Sequence, residues 1–341
     1  MKKELLLFGL LLLSSAFVFS ACSDDDESEF VGNWKKVGDF DGVGRSYAVT
    51  FTIGTNVYVA TGVDNKDYLN DLWVLNPTTL SWTQKASIGV EGEEALRRGY
   101  SVGFALGNAG YVGLGYTPDA KYLRDFWKFD QDSNSWTKLN DFGGAARFGA
   151  VAFVANNKAY VGTGYDGNHL KDFWRYESAT DSWTQIATYN GSKRRGASTF
   201  NIGNDAYLVC GENNGSGVND FWRFNAADET WTELRKIANV STDAFDDDYN
   251  IVRRYGAAFV MGGKAYITCG DLSNTMRKDT WEYDPATDLW EQLTSFEGTA
   301  RTGALGLSIN GSGYVTTGRS SSYYFDDMFE FFPTAEYDEY D

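Results

Sequence analysis

The chain of 341 residues contains a single histidine, His169, and this restricts the chemistry open to it. Imidazole is the usual nitrogen donor to copper, zinc and iron, so a multi-histidine metal centre is excluded. His169 has no context suggesting a nucleophilic triad, and its position reads as a surface loop. Carboxylate and guanidinium chemistry remains. Glu212 and Asp271 fall at equivalent points of neighbouring repeated segments, and such a pair, about 5–9.5 Å apart, can act as acid and base on a sugar. Each follows a repeated glycine, and the full set at that position is Val63, Tyr116, Tyr165, Glu212, Asp271 and Arg319. Tyrosine rings stack on flat apolar faces while carboxylates and a guanidinium hydrogen-bond hydroxyls, so the set suits a sugar-like ligand. The alternative is six ordinary solvated loop residues. The 236–254 connection contains Asp246-Asp247-Asp248, which lacks the alternating ligand spacing and turn glycine of a calcium loop, and it reads as a solvated lid or spacer. No metal or cofactor is expected.

The elements that must position these residues come from an internal repeat. A pattern returns six times at spacings of 47 to 59 residues. Each unit opens on an arginine, taken as Arg45, Arg98, Arg147, Arg195, Arg254 and Arg301. A tyrosine follows (Tyr58, Tyr111, Tyr160, Tyr207, Tyr266, Tyr314), and four residues later a glycine (Gly62, Gly115, Gly164, Gly211, Gly270, Gly318). An aspartate comes next: Asp71, Asp125, Asp172, Asp220, Asp279 and Asp327. In five units it is followed at +2 and +11 by tryptophan, as in Trp174 and Trp183.

Alternating stretches such as 150–154 and 158–161 read as strands joined by an Asn156-Asn157 turn, with third and fourth strands at 172–176 and 182–186. Four antiparallel strands per unit make a propeller blade, so the chain is expected to be all-β, a six-bladed β-propeller. The sixth unit has Phe329 at +2 and Asp338 at +11, so its fourth strand is missing. The one unassigned tryptophan, Trp34, predicts an N-terminal strand that completes this blade and closes the ring without exposed edges.

Over residues 31–333 the pattern resembles the kelch family. It departs in one place: where many kelch repeats carry Gly-Gly, the first position here is Thr61, Leu114, Thr163, Cys210, Cys269 or Thr317. The resemblance implies a ligand-binding face at which first-strand arginines contact partners. The alternative for the repeated Arg and Asp is structural pairing with bidentate geometry. Arg97, Arg194 and Arg253, which precede three of the repeat arginines, would either add positive potential at the mouth or satisfy nearby aspartates. Galactose oxidase shares this scaffold, but its copper chemistry needs histidines this chain lacks. Bacterial kelch propellers also include sialic acid epimerases, which makes a carboxylate-dependent mutarotase or epimerase using Glu212 and Asp271 the enzymatic alternative to a binding module. Cys210 and Cys269, about a blade-width apart, are expected to be buried free thiols.

The ends indicate location. Residues 1–21 carry Lys2 and Lys3, an apolar run and Ser20-Ala21 before Cys22, which reads as a secretory signal. The segment resembles a bacterial lipobox, implying lipidation of Cys22; plain secretion with a free thiol is the alternative. Residues 22–30 are an acidic tether that resembles the export signal of Bacteroidetes-type outer-membrane lipoproteins, implying surface exposure, with a periplasm-facing anchor as the other possibility. The formal charge is −17, and loss of Lys2, Lys3 and Glu4 makes it −18. Five carboxylates of the tether and four of the tail, 334–341, supply half of that excess. The remaining acidity argues against nucleic acid as partner. A monomer is expected, touching the membrane through Cys22 alone and binding a glycan or a protein at the propeller mouth through Tyr116, Tyr165, Glu212, Asp271, Arg319 and the repeat arginines.

Overall fold

The computed structural model describes residues 30–90, 97–119, 121–238 and 249–338. The signal segment, Cys22, most of the tether and Asp246-Asp247-Asp248 lie outside the described residues. Period-2 alternation sends successive residues of each innermost strand to opposite neighbouring blades: in blade three Val151, Phe153 and Ala155 are buried against blade four, while Ala152 and Val154, half-buried, pack against blade two. Its other strands are Lys158–Gly162, Phe173–Glu177 and Ser182–Ile186, paired antiparallel in chain order. Asn156 and Asn157 both have positive φ, 50° and 57°, as a two-residue hairpin turn requires. Six such four-stranded sheets form the ring.

In five blades the repeated tyrosine lies directly across from a phenylalanine of the first strand, and in blade six Tyr314 lies across from Leu307. Phe51–Tyr58, Phe104–Tyr111, Phe153–Tyr160, Phe200–Tyr207 and Phe259–Tyr266 stack with centroids 5.0–5.4 Å apart. These cross-strand pairs fill the wedge between blades. Blade six is closed by Asn33–Asp39 pairing with Asp327–Phe332, with Trp34 opposite Phe331. Trp34 is fully buried, stacked on Phe331 at 4.5 Å and edge-on to Phe296 at 5.0 Å.

The arginine assignment needs correction in two blades. The arginines that pair with the repeat aspartates are Arg45, Arg98, Arg147, Arg194, Arg253 and Arg301. Blades four and five therefore use Arg194 and Arg253, not Arg195 and Arg254. All six are essentially fully buried, which removes Arg98, Arg147 and Arg301 from the set able to touch a ligand, and Arg194 and Arg253 from any role in mouth potential. Each guanidinium also donates to the carbonyl sixteen residues ahead, that of Thr61, Leu114, Thr163, Cys210, Cys269 or Thr317, at 2.9–3.3 Å. These are the positions where many relatives carry glycine, and all six have φ between 58° and 64°. Side chains, including three β-branched threonines, thus occupy a left-handed conformation that costs about 1–3 kcal/mol each, held by the buried guanidinium. In four blades the +2 tryptophan Nε1 donates to the same aspartate.

Cys210 and Cys269 are buried free thiols, and burial pushes each pKa up to about 11, so neither is a reactive thiolate.

Around the axis the residues two after the paired arginines form a closed circuit. Tyr47 N donates to Gly303 O, Tyr100 to Tyr47, Gly149 to Tyr100, Gly196 to Gly149, Tyr255 to Gly196 and Gly303 to Tyr255, at 2.7–3.1 Å. All six have φ of 52–65°, and Tyr255 lies over Gly149 and Gly196 and Tyr47 over Gly303, in space a Cβ there would take.

Candidate functional site

The mouth is built from two residues per blade that face each other across an antiparallel bridge: the one after the paired arginine and the one after the repeat glycine. In blade order these are Ser46/Val63, Gly99/Tyr116, Phe148/Tyr165, Arg195/Glu212, Arg254/Asp271 and Thr302/Arg319. Blades two and three are therefore aromatic, four and five carry ion pairs, and six is basic. Tyr47, Tyr100 and Tyr255 pack against one another at 4.0–5.5 Å between centroids and close the axis beneath the mouth.

Two adjoining cavities result. One of about 300 Å³ is floored by Tyr47, Tyr100 and Tyr255 and walled by Tyr68, Tyr116, Phe148 and the three arginines 195, 254 and 319. The other, about 460 Å³, is polar and contains Tyr165, His169, Glu212, Asn214 and Asn274. Arg195 and Arg254 line both.

The charges between them are coupled. Glu212 accepts from Arg195 Nε at 2.7 Å and from Arg254 Nη1 at 2.6 Å, and Arg254 Nε reaches Asp271 at 2.9 Å. Thr302 Oγ1 donates to the other Asp271 oxygen at 2.7 Å. Burial alone would raise the Glu212 pKa, but the hydrogen bond and charge of Arg195, with the charge of Arg254, outweigh it and hold the carboxyl below its usual range. Glu212 is therefore ionised at neutral pH and committed to two guanidiniums. Arg319 differs: among the described residues it has no carboxylate partner, only Tyr47 Oη at 3.4 Å. Arg195 stacks on Tyr165 and Phe148, 4.9 and 5.3 Å from the ring centroids.

Of the residues singled out from sequence, Tyr116, Tyr165, Glu212, Asp271, Arg319, Arg195 and Arg254 come together here. His169 is not a surface residue: it is 6% exposed, because the hairpin after Gly164 folds back and bridges it to Tyr165. Sequence reasoning also missed Tyr68, Tyr122 and Tyr324, which occupy the same point on the hairpins of other blades.

A family model described as the KLHDC2/KLHL20/DRC7 kelch-repeats domain matches residues 33–146 and 97–246, well over half of the sequence. The chain belongs to the kelch-repeat family. No curated protein matches this kelch chain. Among solved structures, one titled "Structure of YjhT" superposes with a TM-score of 0.68 at 16% identity, covering 85% of this chain and 95% of the other. At that identity the likeness speaks for the kelch propeller fold alone.

Proposed function

We propose that this kelch propeller is a binding module that holds a glycan in its mouth. The observation that carries this reading is the shape and lining of the mouth: two contiguous concave cavities in which tyrosine faces meet guanidinium, carboxylate and amide groups. A flat apolar rim would suit a protein partner, whereas concavity with a few convergent polar groups suits a small polyhydroxylated ligand. The guanidinium of Arg319, which has no carboxylate partner among the described residues, adds a point for an acidic substituent.

An acid–base role for Glu212 and Asp271, as a sugar mutarotase or epimerase would require, is disfavoured by the same network. Both carboxylates are engaged by Arg254, and Glu212 is held ionised, so Glu212 is not set up to donate a proton at neutral pH and neither carboxylate is free to approach a sugar oxygen without giving up its guanidinium. We further propose that lipidated Cys22 displays the module at the outer-membrane surface, on the strength of the lipobox-like segment and acidic tether.

A glycan array probed with the intact protein and with a Tyr116→Ala/Tyr165→Ala double variant tests the main reading. Binding by the intact protein that the variant loses is expected; absence of binding by both would refute it. Anomer exchange of N-acetylneuraminate and neutral hexoses should proceed at buffer rates, and acceleration abolished by Glu212→Gln would restore the enzymatic alternative. Metabolic labelling with a palmitate analogue should mark the protein and miss a Cys22→Ala variant.

A further inference from the structure

Each blade carries a short hairpin over the mouth, and its returning arm sets one residue opposite the residue that follows the repeat glycine. The six are Tyr68, Tyr122, His169, Gly217, Met276 and Tyr324. Where three blades have a half-exposed tyrosine, blade three has a histidine that is 94% withdrawn from solvent.

Neither ring nitrogen of His169 has a hydrogen-bond partner among the described residues. The nearest ionised oxygen, Glu212 Oε1, is 3.8 Å from Nε2, beyond hydrogen-bond range. Tyr165 packs edge-on against the ring with centroids 5.0 Å apart and fixes its plane. A buried imidazole with two unmatched polar atoms is costly unless something that enters the cavity pairs with them. Burial and the charge of Arg195 hold its pKa below the ordinary value, so the ring is neutral at pH 7. A neutral imidazole offers one N–H donor and one lone-pair acceptor. That combination matches hydroxyl groups, which donate and accept, better than it matches an anion.

The surroundings repeat this chemistry. Asn214 and Asn274 stand on the rim of the cavity with amide donors and acceptors. Arg195 Nη1 and Arg254 Nη2 make no hydrogen bond among the described residues, and both arginines form the wall shared with the tyrosine-floored cavity.

We propose that the cavity around His169 is a second subsite of the mouth, one that takes a hydroxyl-bearing ring of a saccharide with the imidazole as its central hydrogen-bonding group. The ligand then spans at least two sugar rings, passing over Arg195 and Arg254 from this subsite into the tyrosine-floored cavity. This inference rests on the glycan reading above and adds to it a minimum length and a named contact.

Because His169 is the only histidine, histidine-specific ¹⁵N labelling of the mature chain gives one pair of ring nitrogen resonances to follow. The probes are neutral and uronate-containing disaccharides, with their component monosaccharides as controls. A disaccharide that binds should shift both resonances and bind at least about tenfold more tightly than either component. His169→Phe should weaken it about tenfold, and His169→Gln should recover part of the loss. A disaccharide whose binding is lost in Tyr116→Ala but which leaves the His169 resonances unmoved would overturn the subsite while sparing the glycan reading. Failure of every saccharide to bind would remove both. If the phenylalanine variant does not fold, the resonances of the unaltered chain still decide.

Discussion

Replacing Arg194 by alanine is expected to cost the fold several times more than the same change one residue later. Arg194 is fully buried, pairs with Asp220, whose side chain is 11% exposed, and donates to Cys210 O at 2.9 Å. Its loss leaves a largely buried carboxylate without its counter-charge and a left-handed carbonyl without its donor, at a cost of about 3–5 kcal/mol. Arg195 is 24% exposed, and its partner Glu212 keeps Arg254 at 2.6 Å. What is lost there is one partly screened pairing with Glu212 and the stacking on Tyr165 and Phe148 at a solvent-facing wall, at a cost of about 1–2 kcal/mol. At roughly 2 °C per kcal/mol for a body of this size, Tm should fall by about 6–10 °C for Arg194→Ala and about 2–4 °C for Arg195→Ala. Differential scanning calorimetry on the two purified variants measures this directly. Both remove the same side chain and the same charge, so composition and net charge cancel in the comparison. Equal losses, or a larger loss for Arg195, would refute the division into scaffold and mouth arginines. The same ordering is expected for Arg253 and Arg254.

Asp125 and Asp172 give a pH dependence. Burial by itself would raise each carboxyl pKa, but the Arg98 and Arg147 hydrogen bonds and charges outweigh it and hold them below the usual range. With folded pKa values below the unfolded value of about 3.9, their stabilisation is complete above that pH and is lost as the pH falls through it toward the folded values. Urea midpoints measured from pH 7 to pH 3 should decline below about pH 4, and less steeply in Asp172→Asn. Trp34→Ala should cost about 3–5 kcal/mol through the cavity it leaves against Phe331 and Phe296, with early proteolysis in blade six. Thr163→Gly should gain about 1 kcal/mol by relieving φ of 60° and removing a buried, unpartnered hydroxyl, seen as a Tm raised by roughly 2 °C.

The propeller was legible because nearly every blade asks the same side chains for the same service. A tyrosine stacks on a phenylalanine, an aspartate grips an arginine, and an indole N–H closes on that aspartate, so the period appears in the residue types themselves. The fourth strand of blade six was legible from a missing tryptophan and a spare one. The Arg doublets at 97–98, 194–195 and 253–254 hid the register, since either member is plausible by type. The interval from arginine to repeat glycine separates them, being seventeen residues in every blade only when Arg194 and Arg253 are chosen. The tyrosine plug was obscured by the same slip, because it lies two residues beyond the correct arginines. His169 was illegible for another reason. The hairpins that return a side chain to the mouth differ in length, so the returning residue comes five, six or seven positions after the glycine, as with His169, Tyr68 and Tyr122. Periodicity does not survive such variation, and burial of a loop residue depends on the neighbouring blade.

The borrowed strand of blade six also decides which way the molecule faces. Asp39 lies opposite Asp327, beside the mouth, and Asn33 lies opposite Phe332, at the far end of the blade. Phe30 and the residues that follow Phe332 therefore lie on the blind side of the ring, away from Arg319 and the tyrosines. Any leash fastened upstream pulls on the back of the disc.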